Sequence, residues 1–323
     1  MGQIDISVIL CTYNRAASLL STLASLACLR MPPDVKWELL VVDNNSKDET
    51  RDVVDEFAKT ADICVQYLFE GQQGKSAALN TGLSAAKGKI IAFTDDDVVA
   101  DPDWLLFLTR AFAEYDCAAV AGKIVPVWNH PKPEWLEMEG QQAVLNFDLG
   151  VEEKQIDCPP FGANSAFRKE TFQKYGVFRL DLGPNGKDRV LSEDTEFANR
   201  LIAAGEKVWY VPEAIIYHPV DPRRASKSFF LQFFYNDGRA AMRTLDCPKD
   251  TVRYWGVPRW IFRPLTRNFL AWMLSVSARP RFRYKCRTYA DLGKVAEAWA
   301  LSRRAANARK TRKVRPTAEG AEL

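Results

Sequence analysis

The chain has 323 residues, 47% of them apolar, which is ample for one large domain or two modest ones and makes the protein globular. Its formal net charge is only +3, but residues 221–323 hold 23 Lys and Arg against 8 Asp and Glu, whereas residues 1–220 hold 21 against 33. A cationic last third points to an anionic surface or polymer, the plain alternative being solvated helix faces, which is the better reading for Arg303 to Arg315.

Ile6 to Thr12 is an apolar, β-rich run that predicts the first strand, and Ala16 to Leu29 follows with leucines at helical spacing. Trp37 to Val42 predicts a second strand, then Asp48 to Lys59 a helix with Ser46 and Asp48 as caps. Val65 to Phe69 is a third strand. The turn Gly71 to Gly74 leads into a helix over Ser76 to Ala86, and Lys89 to Thr94 is a fourth strand. Pro102 to Tyr115 predicts a helix with proline near its first position, and Ala118 to Val127 a fifth strand. Such alternation is the signature of a parallel sheet covered on both faces. Prolines 126, 131, 133, 159, 160 and 184 then mark loops. Order resumes with a short element at Ala163 to Phe167, a helix at Asp194 to Ala204, and strands at Val208 to Tyr210 and Ala214 to Tyr217. Beyond His218 the chain reads as helices to about Ala306, with no internal repeat.

Seven scattered cysteines, none paired at metal-ligand spacing, suit a reducing cytosol. No signal peptide is expected, since the start leads straight into a strand pattern, and Gly2 with Ser7 only partly matches a myristoylation signal. The best late apolar run, Phe269 to Ala278, is about half the length a bilayer requires.

Ligands of open α/β sheets sit beyond the C-terminal strand ends. Polar residues collect there: Thr12, Tyr13 and Asn14 after the first strand, Asp43 and Asn44 after the second, Glu70 to Lys75 after the third, and Asp95, Asp96 and Asp97 after the fourth. Three carboxylates behind a buried strand are costly to desolvate without a counter-charge, so they imply a cation. Hard oxygen ligands suit Mg²⁺ or Mn²⁺, whose shell a substrate's phosphate oxygens complete. The plain alternative is helix capping, but Asp101 alone supplies a cap.

In this order the motifs Val8 to Arg15, Val41 to Asp48, Gly74 to Gly82, the aspartate run and Ser192-Glu193-Asp194 resemble the family 2 glycosyltransferases over most of residues 5–220. The resemblance implies an α/β, GT-A fold with a Rossmann-like mixed sheet flanked by helices. It implies donor contacts from Thr12, Tyr13, Asn14, Arg15, Asp43, Gly74, Lys75, Asp95 and Asp96, with Asp43 accepting from the base or ribose. Asp97 is the expected metal ligand, with Asp95 nearer the ribose and sugar. Where the family often has a further acid this chain has Val98, which leaves the division of labour within the aspartate run open. Asp194 resembles the base that deprotonates the acceptor in an inverting transfer, with Glu193 as alternate. Capping by Ser192 and first-turn acids explains their position equally well. His218 resembles a further metal or diphosphate contact, which Arg223 and Arg224 would accompany. Phe161 to Phe167 resembles the segment beside the donor sugar, where Gly162 allows close backbone approach.

Aromatic residues from Phe229 to Trp272 interleave with arginines. They suit either a surface that inserts into one lipid leaflet or packing within a helical region. The expected organisation is a catalytic domain over 1–220, a basic helical region over 221–306 and a disordered tail over 307–323. The expected activity is metal-dependent, inverting transfer of sugar from a nucleoside-diphosphate donor, uridine first among bases, to a glycan or polyprenyl-linked acceptor. The expected cofactor is Mn²⁺ or Mg²⁺. The place is cytoplasmic, peripheral on the inner face of the membrane, and nucleic acid is not the expected partner. A nucleotidyltransferase is disfavoured because Thr12-Tyr13-Asn14-Arg15 stands where a Gly-rich loop belongs. The remaining alternative is a catalytically silent scaffold gripping anionic lipid or nucleic acid through the basic region.

Overall fold

The computed structural model describes residues 3–137, 146–186, 190–248 and 250–314, with side chains to 307. It contains two compact units, Met1–Ala225 and Ser226–Leu323.

In the first unit, strand β1 (Ile6–Thr12) and strand β2 (Trp37–Asp43) are buried almost throughout, as their unbroken apolar runs require. Helix α1 (Ala16–Ala27) lies between them in sequence and buries Leu19, Leu23 and Leu26, one stripe at helical spacing. Helix α2 (Thr50–Thr60) leads to β3 (Cys64–Phe69), helix α3 (Lys75–Ala85) to β4 (Ile90–Thr94), and the two-residue β5 (Val99–Ala100) to helix α4 (Trp104–Glu114). Then come β6 (Ala119–Val127), β7 (Lys154–Ile156), β8 (Ser165–Arg168), helix α5 (Lys169–Tyr175), helix α6 (Glu193–Ala203) and β9 (Val208–Pro219).

These strands form one sheet in the order β3-β2-β1-β4-β8-β6-β9-β5, with β7 on β9. The sheet is mixed. β1 pairs in parallel with β2 and β4, as β2 does with β3, but β8 runs antiparallel between β4 and β6. The alternating pattern therefore predicts the parallel half and not the antiparallel insertion. One core packs Leu19, Leu23, Leu26, Val54, Trp104 and Leu108 on one face of the sheet. The other face carries Leu79, Leu83, Phe172, Phe178, Phe197 and Leu201. There Phe172 stacks on Phe197 at 4.3 Å, and Phe93 meets Phe178 edge-on at 5.5 Å.

The two strands expected at Val208 to Tyr210 and Ala214 to Tyr217 are one strand, β9, whose register jumps where Gly122 pairs with Val211 and Lys123 with Ile215. Pro212, which lacks an N–H, sits in that bulge. Buried Asn164 fills it. Its Nδ2 donates to Lys123 O and Ala214 O, each at 2.8 Å, while its Oδ1 accepts from Trp104 Nε1 at 2.7 Å.

Caps differ from expectation as well. Asp48 precedes α2 and accepts from Thr50 N and Oγ1, but its other oxygen accepts from Ala16 N at 3.0 Å, so it joins the starts of α1 and α2. Ser46 Oγ accepts from Asn14 N instead of capping a helix. Ser192 stands at the start of α6 with φ 79°, and its side chain makes no cap bond.

In the second unit, α7 (Lys227–Thr244) and α8 (Phe262–Leu274) pack on α9 (Ala278–Val314), and a hairpin of β10 (Arg253–Tyr254) and β11 (Val257–Pro258) interrupts the helices. The α9 helix runs on through 307, where a disordered tail is expected, to Val314; residues 315–323 lie outside the described residues. The α7 and α9 backbones touch: a Cβ on Gly238 would stand 1.9 Å from Ala290 O, and one on Gly293 2.0 Å from Tyr235 O. Buried Glu297 is held by Arg239 at 2.8 Å and Arg243 at 2.7 Å, and Asn268 donates to Asp291 at 2.7 Å. Among the described residues no helix is long and apolar enough to cross a membrane.

Candidate active site

The C-terminal ends of β1, β2 and β4 lie side by side, since Thr12 pairs with Asp43 and Leu10 with Thr94. This edge collects most of the predicted residues. Asp43 is buried, accepts from Ser46 N at 2.8 Å and from the Tyr67 hydroxyl at 2.7 Å, and lies beside Thr12, while Tyr13 is exposed. Asn14 takes a left-handed turn at φ 51° and ties into the next loop through Lys47 N.

Neighbouring aspartates do different things. Asp96 is 6% exposed, the middle of the three, and lies 3.0 Å from Arg15 Nη1. Burial pushes its carboxyl up to about 6, against the pull of that guanidinium. Asp97 meets the same Arg15 at 2.5 Å and Arg224 at 3.5 Å. Asp95 is bound by Lys75 Nζ at 2.8 Å; burial raises its carboxyl, but Lys75, with help from His218 and Arg224, holds it below the ordinary range. Arg15 thus serves the carboxylates, although the resemblance gives it a donor contact. Burial works against its charge, yet Asp96 and Asp97 keep its proton affinity above normal.

Asp95, Asp97 and His218 each offer a ligand atom within 4.8 Å of the others. His218 Nδ1 is 3.1 Å from Pro219 O, so it donates there, and Nε2 turns its lone pair toward Arg224 Nη1 at 3.3 Å, with Asp97 Oδ1 3.6 Å away. Two carboxylates and one imidazole lone pair form a donor set that fits a divalent cation such as Mn²⁺ or Mg²⁺. Arg224 joins this cluster. Arg223, expected beside it, instead pairs with Asp221 and is 90% exposed.

Lys75 also lies 3.6 Å from buried Glu193. Burial raises the Glu193 carboxyl, Lys75 opposes this, and Asp194 adds to it. The lysine keeps its proton well above the usual range, the carboxylates outweighing its own burial. Asp194 is fixed at both oxygens: Oδ2 accepts from Gly162 N at 2.6 Å and Oδ1 from Thr195 N at 2.7 Å. Lys75, Asp95, Gly162, Glu193 and Asp194 line one narrow cleft, floored by Leu79, Phe93, Phe167 and Phe178. A wider cleft of about 700 Å³ lies at the opposite, N-terminal ends of β6 and β9, lined by Asp116, Arg168, Lys174 and Glu206, and holds none of these residues.

Two residues have a part in the site that the sequence does not assign: Asn44 is placed at the strand-end edge without a role, and Tyr67 is not singled out. Buried Asn44 accepts from Gly74 N at 2.7 Å and donates to Gln72 O at 2.8 Å, shaping the loop that presents Lys75. Gly74 there takes φ 142°. An asparagine just past a strand end beside Asp43 is the signal. Tyr67 on β3 leaves none, since its bond to Asp43 exists only once β2 and β3 pair.

The profile described as Glycosyl transferase family 2 matches residues 7–176. The succinoglycan biosynthesis protein ExoM of Rhizobium meliloti is 28% identical over 244 residues, 75% of each chain. The glucosyl-dolichyl phosphate glucuronosyltransferase of Haloferax volcanii is 28% identical over 218 residues, 66% of this chain and 68% of that one. The mannosyltransferase PcManGT of Pyrobaculum calidifontis, solved with GDP-Man and Mn²⁺, superposes with TM-score 0.56 at 19% identity, covering 97% of this chain and 81% of its own, a likeness of fold.

Proposed function

Since the chain belongs to glycosyl transferase family 2, and is therefore a glycosyltransferase of GT-A fold, we propose that it transfers a sugar, with inversion, from a nucleoside-diphosphate donor to an acceptor hydroxyl of a lipid-linked or surface glycan. The observation that carries this reading is the convergence of Asp95, Asp97 and His218 at the strand ends, beside the cleft that holds Asp194.

The donor's base and ribose meet Thr12, Tyr13 and Asp43 at the outer end of the strand edge. Asn14 and Gly74 shape the adjoining loops. Asp95, Asp97 and His218 would hold Mn²⁺ or Mg²⁺, which, when bound, offsets the charge that develops on the departing diphosphate. Arg15 and Arg224 add fixed positive charge beside that group, and Asp96 anchors Arg15 from beneath. Lys75 holds Asp95 toward the sugar. Asp194, oriented by Gly162 N and Thr195 N, takes the acceptor's proton as its oxygen attacks the anomeric carbon. Glu193 is the alternate: burial strengthens its hold on a proton, but its carboxylate is enclosed and faces Lys75 at 3.6 Å, whereas among the described residues Asp194 carries no such cation.

PcManGT, solved with GDP-Man, supports a nucleotide-sugar donor, and the Haloferax relative, named for a glucosyl-dolichyl phosphate, supports a lipid-linked acceptor; we infer that the chain meets such an acceptor at the inner face of the cytoplasmic membrane. A silent scaffold is not favoured, since it requires no such cluster of acids around a divalent-cation donor set. The test is release of nucleoside diphosphate from UDP-, GDP- and dTDP-sugars with Mn²⁺, with Mg²⁺ and with chelator. Metal-dependent release from one donor, lost in Asp194→Asn, is expected; no release from any donor in the presence of membrane-extract acceptors would count against transfer.

A further inference from the structure

The second unit carries a surface that the sugar chemistry leaves unused. Helix α8 buries Asn268 and turns Phe269, Leu270, Met273 and Leu274 outward, at 45%, 50%, 55% and 76% exposure, and Val276 in the turn to α9 is 99% exposed. Polarity here changes along the helix axis rather than around it. The same outward face begins with Arg263 and Arg267, and the chain leaving the turn carries Arg279 and Arg281. All four are exposed, and among the described residues none pairs with a carboxylate. At 1.5 Å per residue Leu274 stands about 10 Å beyond Arg267, close to the depth that interfacial helices reach below the headgroups. Trp272 braces the tip from within, edge-on to Phe269 at 5.8 Å and under Lys285 at 5.3 Å.

We propose that the α8–α9 turn is a docking tip for an anionic phospholipid surface, with Phe269, Leu270, Met273, Leu274 and Val276 entering one leaflet and the four arginines resting on its phosphates. Charge selects this occupant. A second copy would bring the same cationic collar against itself, whereas anionic headgroups complement it, and residues 226–323 as a whole hold 21 Lys and Arg against 7 Asp and Glu. The aromatic residues of α7 are not part of the tip, because Phe230 is fully buried and Phe229, Phe233 and Phe234 are half-buried. Exposed Trp255 is not part of it either: its neighbour Gly256 packs on Ser302, 24 residues or about 36 Å along α9 from the tip. The inference rests on the proposed place at a membrane face and does not depend on sugar transfer.

The test is flotation of the full chain with vesicles of phosphatidylcholine alone and mixed with phosphatidylglycerol, at low and high salt, beside calorimetric nucleotide binding. Wild type is expected to float with the anionic vesicles at low salt and to release at high salt. L270E/M273E should weaken this about tenfold or more, and R263Q/R267Q about fivefold per charge with a flatter salt dependence, both with unchanged circular dichroism and nucleotide binding. Absence of flotation at low salt would overturn the proposal. So would flotation that L270E/M273E leaves intact, which would move binding to the basic end of α9, or self-association abolished by that pair with no vesicle binding. Because nucleotide binding is read separately, failure at the membrane and failure at the donor site are distinguishable.

Discussion

The amide of Gly162 donates to Oδ2 of Asp194 at 2.6 Å, and a Cβ on Gly162 would stand 2.9 Å from that same oxygen. The glycine is therefore both the donor that aims the carboxylate and the space that admits it. Gly162→Ala should shift Asp194 by a few tenths of an ångström or more and lower turnover by up to about a hundredfold. Thermal unfolding should change little. Unchanged turnover with a folded variant would remove Asp194 from the role of base.

Lys75 stands between Asp95 and Glu193. Lys75→Met removes the cation from two largely buried carboxylates and should cost roughly 2 kcal/mol in urea unfolding, less than a fully enclosed pair because the lysine side chain is 28% exposed. In a Glu193→Gln background the same change should cost at least about 1 kcal/mol less. Additive losses would mean that Lys75 does not stabilise Glu193.

Asn164→Leu should be among the most destabilising single changes in the first unit, at about 3 kcal/mol, since it strands Trp104 Nε1 and the carbonyls of Lys123 and Ala214 inside the bulge. Equilibrium unfolding reads this directly. A loss below about 1 kcal/mol would show that the bulge is held by other means.

Asp48 carries a pH prediction. Hydrogen bonds from Ala16 N and Thr50 hold its carboxyl below the ordinary value of 3.8, outweighing partial burial, which acts the other way. A depressed carboxyl adds stability that is fully present above its unfolded value and is lost as pH falls through the folded one. Wild type should therefore exceed Asp48→Asn in stability near neutral pH, with the gap closing as pH falls below 3.8. A gap that persists unchanged into strong acid would contradict this.

Much of the first unit is legible in the sequence because long apolar runs such as Ile6 to Thr12 and Trp37 to Asp43 leave few alternatives to a buried strand. β5, β7, β10 and β11 are not, since two or three residues carry no measurable period. Nor is the continuity of β9, because Pro212 reads as an end where the fold makes a bulge. At the site, strand ends locate Thr12, Asp43 and the aspartates. Arg15, some 80 residues earlier, pairs with both the inward Asp96 and Asp97, and the cleft exists only when Lys75 meets Glu193 across the fold. Such pairings have no local signature. The α8–α9 tip is hidden for the converse reason: Phe269 and Trp272 look alike in sequence, and only packing on α9 sends one outward and leaves the other half-buried.

The most direct measurement is calorimetric titration of UDP, GDP, dTDP and their sugar conjugates into wild type and Asp97→Ala, with Mn²⁺ or Mg²⁺ and with chelator. The predicted result is binding of one nucleotide that requires the cation and is lost in Asp97→Ala while the variant remains folded. Equal binding by wild type and variant, or binding that chelator leaves unchanged, would contradict a donor site built on Asp95, Asp97 and His218.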